Sequence, residues 1–123
     1  MRAPWLAAAL ALPLALALGA AAKDPLAGRV AGKPVNCIDT GMVGNGPIIV
    51  DNKTILYQRG RRTWKTSPIG ACPALRPLTT LIVIQYGSQL CRNDRFRVLE
   101  PGVSIPSAVC RFDAFTPYDR VKK

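Results

Sequence analysis

The sequence predicts a mainly-β protein: a small, disulfide-stapled sandwich or barrel-like antiparallel sheet with at most short helical turns, preceded by a helical signal peptide. Short runs of β-branched and aromatic residues recur between Gly, Pro and Asn, which is the pattern of short strands separated by turns. Beyond the first 22 residues, no stretch repeats its apolar residues with the 3.6-residue period of an amphipathic helix. Four cysteines offer the covalent support that a domain of about 100 residues needs, because its core is modest.

Residues 1–22 have the layout of a secretory signal peptide. Arg2 is the only charge before an apolar run from Leu6 to Ala22, and the run ends in small side chains that suit a signal peptidase. The Ala- and Leu-rich composition is typical of bacterial leaders, so we expect cleavage after Ala22 and a periplasmic or secreted protein. The alternative is an uncleaved membrane anchor, but the run is short for a bilayer span and Pro13 interrupts it. After cleavage we expect no integral membrane segment.

Composition then divides the exported part into three. Residues 23–34 contain two prolines and two glycines among small and charged side chains, which predicts a flexible N-terminal arm. Residues 35–117 carry the strand-like runs and all four cysteines, which predicts a single β domain. Residues 118–123 form a basic tail that we expect to fray.

The first half of the β domain contains a hairpin signal. The expected strands are 35–40, 48–50 and 54–58. The tetrapeptide 59–62 follows, and Gly60 within it supplies the positive φ that tight hairpin turns require. This turn places Tyr57 opposite Trp64, and cross-strand aromatic pairs stabilise a hairpin.

The second half contains three further strand-like runs. Residues 81–84 are continuously apolar, so we expect a strand that is buried on both faces or lies in the middle of the sheet. Residues 89–91 are expected to return along it after a turn. Residues 95–99 alternate basic and apolar side chains, which predicts a half-buried strand with its arginines in solvent. Residues 110–115 are a last strand or a short turn.

The even number of cysteines, together with export, predicts two disulfides. Three pairings are possible, and we favour the nested one, Cys37–Cys110 with Cys72–Cys91, because it ties the start of the domain to its end. The chain has no histidine, no two cysteines at zinc-knuckle spacing and no Cys-X-X-Cys, which disfavours metal and redox sites. No cofactor is expected.

The charge is strongly basic, with 17 Lys and Arg against 7 Asp and Glu. Such a field attracts anionic polymers and anionic envelope surfaces. The candidate polyanion contacts form two groups, Arg59, Arg61, Arg62 and Lys65, and then Arg92, Arg95, Arg97 and Arg111. Aromatic residues lie among them in the sequence, as in single-strand and glycan-binding surfaces. The alternative is that the arginines are a solvated face and the aromatic residues fill the core.

Catalysis is not expected from this sequence. The commonest general base, histidine, is missing, and the seven carboxylates form no recognisable signature, so we assign no catalytic residues. We therefore expect a non-enzymatic envelope protein with a binding or structural role, and we expect any ligand to be anionic. The alternatives are an envelope hydrolase with an Asp- or Ser-centred site and a protein–protein accessory or inhibitor module.

The layout resembles a family of short exported proteobacterial proteins of unknown function with four spaced cysteines. The matching segments are Cys37-Ile38, Val50–Ile55, Gly70–Leu75, Leu90-Cys91 and Cys110-Arg111. The resemblance covers most of the exported part, and its motifs are structural. The resemblance implies a compact secreted domain, and it implies neither an activity nor any site residues.

Overall fold

The computed structural model describes residues 24–41 and 46–121, and every regular element in these ranges is a β-strand. The strands are β1 (Arg29–Ala31), β2 (Cys37–Asp39), β3 (Ile48–Asp51), β4 (Thr54–Arg59), β5 (Arg62–Thr66), β6 (Thr80–Ile84), β7 (Gln89–Cys91), β8 (Arg95–Leu99), β9 (Cys110–Arg111) and β10 (Thr116–Arg120). All strand pairs are antiparallel. The predicted mainly-β fold with antiparallel sheets is therefore confirmed. The expected signal peptide lies outside the described residues.

The strands form three sheets. The largest has the order β1-β10-β5-β4-β3, the second has the order β6-β8-β9, and the third consists of β2 and β7. Within the described ranges no sheet closes into a barrel, and no helix is long and apolar enough to cross a membrane.

The hairpin between β4 and β5 has the predicted register. Arg59 pairs with Arg62, and Tyr57 pairs with Trp64. Gly60, the first central residue of the turn, has φ of 58°, as a type II′ hairpin turn requires. The register is set locally by this turn, which is why the sequence was sufficient to predict it.

The expected arm and tail both contribute strands, which corrects the predicted domain limits. β1 lies within residues 23–34, and β10 extends to Arg120 inside residues 118–123; the two strands pair with each other. Proline disfavours an interior strand because it cannot donate to a ladder, yet Pro117 lies within β10. In the structure Pro117 lies opposite Gly32, whose amide donates to the Pro117 carbonyl at 2.8 Å, just beyond the end of β1. The amide hydrogen that Pro117 lacks would therefore face the end of β1, where the hydrogen-bond ladder stops.

The expected placement of β6 and β7 is wrong. β6 is an edge strand that pairs only with β8, and its residues alternate between exposed and partly buried. β7 does not return along β6 but pairs with β2. A continuous apolar run suggests burial on both faces, but here the outward-facing Ile82 and Ile84 remain 39% exposed.

The core lies where the five-stranded and three-stranded sheets meet. Ile55 and Tyr57 of β4 belong to the same buried cluster as Phe96 and Val98 of β8. Phe112 is fully buried, with ring centroids 4.4 Å from Phe96 and 6.4 Å from Tyr57. A core of aromatic and branched side chains between two sheet faces is a sandwich-like arrangement.

The disulfides are Cys37–Cys91 and Cys72–Cys110, so the favoured nested pairing is wrong. The pairing of β2 with β7 puts Cys37 directly opposite Cys91. Cys72, which is buried, pairs instead with Cys110 of β9. The preference for a bridge from the start of the domain to its end takes no account of which strands are neighbours. The prediction that all four cysteines are oxidised is confirmed, because the chain has four and none is free.

Candidate polyanion-binding surface

All seven carboxylates of the chain have a partner that explains their position. Four accept a hydrogen bond from a nearby backbone amide at a turn: Asp24, Asp39, Asp51 and Asp94. Three are paired with arginine: Glu100 with Arg76, Asp113 with Arg92, and Asp119 with Arg62. For Asp113 and Asp119 these contacts favour the ionised form, and the pKa values of both lie below their usual range.

Two predicted polyanion contacts are held in these ion pairs. Arg62 donates from Nε and Nη2 to both carboxylate oxygens of Asp119, at 2.8 and 2.9 Å. The hydrogen bonds from Arg62 lower the pKa of Asp119, and the charge of Arg29 contributes. Arg92 donates to Asp113 at 2.9 Å, where the Ala114 amide has the larger effect on the carboxyl pKa. Arg62 and Arg92 are therefore less available to an external anion than arginines without a carboxylate.

The sheet adds two arginines to the β4–β5 hairpin that sequence reasoning missed. Arg29 of β1 lies directly opposite Arg120 of β10, and β10 also pairs with β5. Arg29, Arg61 and Arg120 line one surface concavity together with Gly60, Asp119 and Val121. Arg29 and Arg120 were assigned to an arm and a tail, so nothing in the sequence placed them beside the hairpin. We call the cluster of Arg29, Arg59, Arg61, Arg62 and Arg120 the basic pole.

Hydrogen bonds to backbone carbonyls hold Arg29 of the basic pole in place. The Arg29 Nη1 donates to the carbonyls of Arg61 at 2.7 Å and Tyr118 at 3.1 Å. By contrast, the side chains of Arg61 and Arg120 form no ion pair with any described residue. The pole therefore combines a positioned guanidinium with two exposed ones. The carboxylate that lines the same concavity, that of Asp119, is already bound by Arg62.

Lys65 and the second predicted group lie elsewhere. Lys65 lines a different concavity, next to Asp113 and Tyr118. Arg95 and Arg111 are direct cross-strand neighbours on β8 and β9, and Arg97 lies two residues along β8. We call these last three the arginine face, since all are exposed on the outer side of the three-stranded sheet. The structure thus brings neither predicted group together in full.

The aromatic residues near the predicted contacts mostly belong to the core. Tyr57, Phe96 and Phe112 are buried, so they cannot stack on a bound base or sugar. Trp64 is half-buried, and the Arg62 guanidinium lies 5.3 Å from its ring centroid, a cation–π distance. The interpretation of the aromatics as core residues is the correct one.

Comparison with known families, curated proteins and solved structures finds no match to this chain. The two disulfides fit an oxidising extracellular compartment. In the described residues, no group of three or more Asp, Glu or Cys side chains is arranged to hold a metal ion.

Proposed function

We propose that this chain is an exported, non-enzymatic protein of the bacterial envelope that binds an anionic polymer through the basic pole. The observation that carries the proposal is the placement of Arg29 opposite Arg120, with Arg61 lining the same concavity. Like charges directly opposite each other destabilise a sheet. An anionic ligand would offset that repulsion.

The shape and chemistry of the basic pole support this ligand class. A concave surface in which one charge predominates concentrates the field and attracts ligands of the opposite charge. Arginine presents a planar fork of donors that matches phosphate and carboxylate groups. Phosphate-bearing and uronate-bearing polymers share this chemistry, and both occur outside the cytoplasm.

The roles of the carboxylates support a binding role over hydrolysis. A general acid or base usually has a pKa moved towards neutrality, whereas the pKa values of Asp113 and Asp119 are moved away from it. All seven carboxylates have structural partners. The same proposal includes a periplasmic or secreted location. It also includes membership of the proteobacterial family that the sequence resembles.

The test compares two double variants that lose the same charge. Arg61→Gln with Arg120→Gln removes the two exposed arginines of the basic pole, and Arg95→Gln with Arg111→Gln removes two from the arginine face. Binding of a fluorescent single-stranded oligodeoxynucleotide is measured by anisotropy at several salt concentrations. If both pole arginines contact phosphates, the slope of log K against log salt becomes shallower by about 1.4 in the first variant.

The control variant should keep the wild-type slope and lose affinity only weakly. Equal losses in both variants would mean that net charge alone drives binding, and they would overturn the proposed site. A larger loss of affinity in the control would mean that the ligand binds at the arginine face. A heparin fragment titrated in parallel distinguishes phosphate from sulfate and carboxylate ligands.

A further inference from the structure

Strand β6 has an open edge. It pairs only with β8, on one side, and no backbone hydrogen bond within the described residues joins its other side to another segment. Natural proteins protect such edges with charged residues, proline or bulges. β6 has none of these, and residues 78–90 contain no charge and no proline.

The hydrogen-bonding groups that β6 leaves unpaired can be identified. The Val98 amide donates a hydrogen bond to the Ser107 hydroxyl, and the Val98 carbonyl accepts one from the Ser107 amide. Ser107 lies on the same side of β8 as β9. Because neighbouring residues of a strand direct their amides to opposite sides, Val98 does not bond to Leu81, its partner in β6. The same alternation applies to Val83. The N–H and C=O groups of Leu81 and Val83 therefore point to the open edge.

The side chains around this edge are apolar and exposed. Ile82 and Ile84 lie on the outer face, and each is 39% exposed. Leu78 before the strand is 90% exposed, and Tyr86 after it is 84% exposed. Leu78 has φ of 71°, an uncommon conformation for a bulky residue. An uncharged and apolar edge is complementary to another uncharged strand, and it offers no opposite charge to a charged peptide.

We propose that β6 pairs antiparallel with β6 of a second copy of this chain, about a two-fold axis at Ile82. In this register Leu81 of each copy faces Val83 of the other, and their outward N–H and C=O groups form four hydrogen bonds. Ile82 faces Ile82, and Thr80 faces Ile84. The three-stranded sheet becomes a six-stranded one. Each copy uses its only β6 edge, so the assembly closes as a dimer and does not grow into a filament.

Electrostatics permit this pairing despite the basic charge. Arg97 is the cross-strand partner of Ile82, so the two Arg97 residues of the dimer would be three strand spacings apart. At about 4.8 Å per spacing this is roughly 14 Å, beyond the Debye length of about 10 Å at 0.1 M salt. The two copies of the arginine face would flank a continuous apolar strip.

A five-residue strand pair buries less than the roughly 1,000 Å² of stable complexes, so we expect a weak dimer with a dissociation constant in the micromolar range or above. The experiment uses protein expressed from the full sequence and purified from the periplasm of a bacterial host. Sedimentation velocity across concentrations up to about 1 mM gives the dissociation constant. Ile82→Lys and Ile82→Glu should each raise it at least about tenfold, because each places like charges directly opposite each other on the two-fold axis.

An equimolar mixture of the Ile82→Lys and Ile82→Glu chains should dimerise again, since opposite charges then face each other. The matched control is Ile48→Lys on β3, an edge strand of the five-stranded sheet, where Ile48 is 42% exposed. It should leave the dissociation constant unchanged. A wild-type chain that stays monomeric throughout would overturn the proposal and leave the edge to a peptide of another protein. Failure of the mixture to dimerise, or an equal effect of Ile48→Lys, would also overturn it.

Discussion

Replacing Phe112 by alanine is expected to lower the free energy of unfolding by about 3–5 kcal/mol. Phe112 is fully buried, and its ring contacts those of Tyr57, Phe96 and Phe115. Truncation removes the aromatic contacts and leaves a cavity that the disulfide-tied strands around it cannot readily fill. Domains of this size have stabilities of about 5–15 kcal/mol, so the loss is a large share of the total. Chemical denaturation followed by tryptophan fluorescence measures it.

Tyr86→Ala is the matched control, because it also removes an aromatic ring, but from an 84% exposed position. Its effect should stay within about 0.5 kcal/mol. Equal stabilities of the Phe112→Ala and Tyr86→Ala variants would mean that Phe112 is not at the centre of the core. A large loss of stability in both variants would mean that Tyr86 makes a contact that is absent from the single chain.

Removing one disulfide by Cys72→Ala with Cys110→Ala should cost about 4 kcal/mol. The bridge joins residues 38 positions apart. Closing a loop of that length lowers the conformational entropy of the unfolded chain, which stabilises the folded state by about 4 kcal/mol at room temperature. Cys37→Ala with Cys91→Ala should cost a similar amount, because that bridge spans 54 positions. The comparison of both variants with the wild type by denaturant unfolding checks these values.

Thiol titration of the same variants tests the connectivity directly. Cys72→Ala with Cys110→Ala should leave no free thiol in the unreduced, unfolded protein, since Cys37 and Cys91 remain bonded to each other. Cys72→Ala with Cys91→Ala should leave two. The reverse result would restore the nested pairing.

The features predicted correctly from the sequence are those that depend on residues close together in the chain. The hairpin register followed from Gly60 and the Tyr57–Trp64 pair, and the alternation of residues 95–99 correctly predicted exposed arginines on β8. Both depend on backbone rules that operate over four or five residues. The fold class followed in the same way, from many such short signals.

The features that the sequence could not supply depend on long-range pairing. The Cys37–Cys91 bridge follows from the pairing of β2 with β7, which joins residues 54 positions apart. The Cys72–Cys110 bridge joins a loop to β9 across 38 positions. The basic pole is similar, because Arg29 and Arg120 meet only after β1 and β10 pair. Strand pairing between distant segments is decided by the packing of the whole core, and no local pattern specifies it.

The crossed order of the two disulfides has a consequence for survival of the chain when a protease cuts its backbone. The four cysteines divide the central chain into three intervals, and the bridges link the first to the third cysteine and the second to the fourth. If the backbone is cut once in each of any two intervals, the three fragments remain one covalent molecule. In the nested arrangement, cuts in the first and last intervals would release the middle fragment. The nicked chain therefore keeps its strands together at high effective concentration, and it can remain folded after damage that would dismantle a chain with nested bridges.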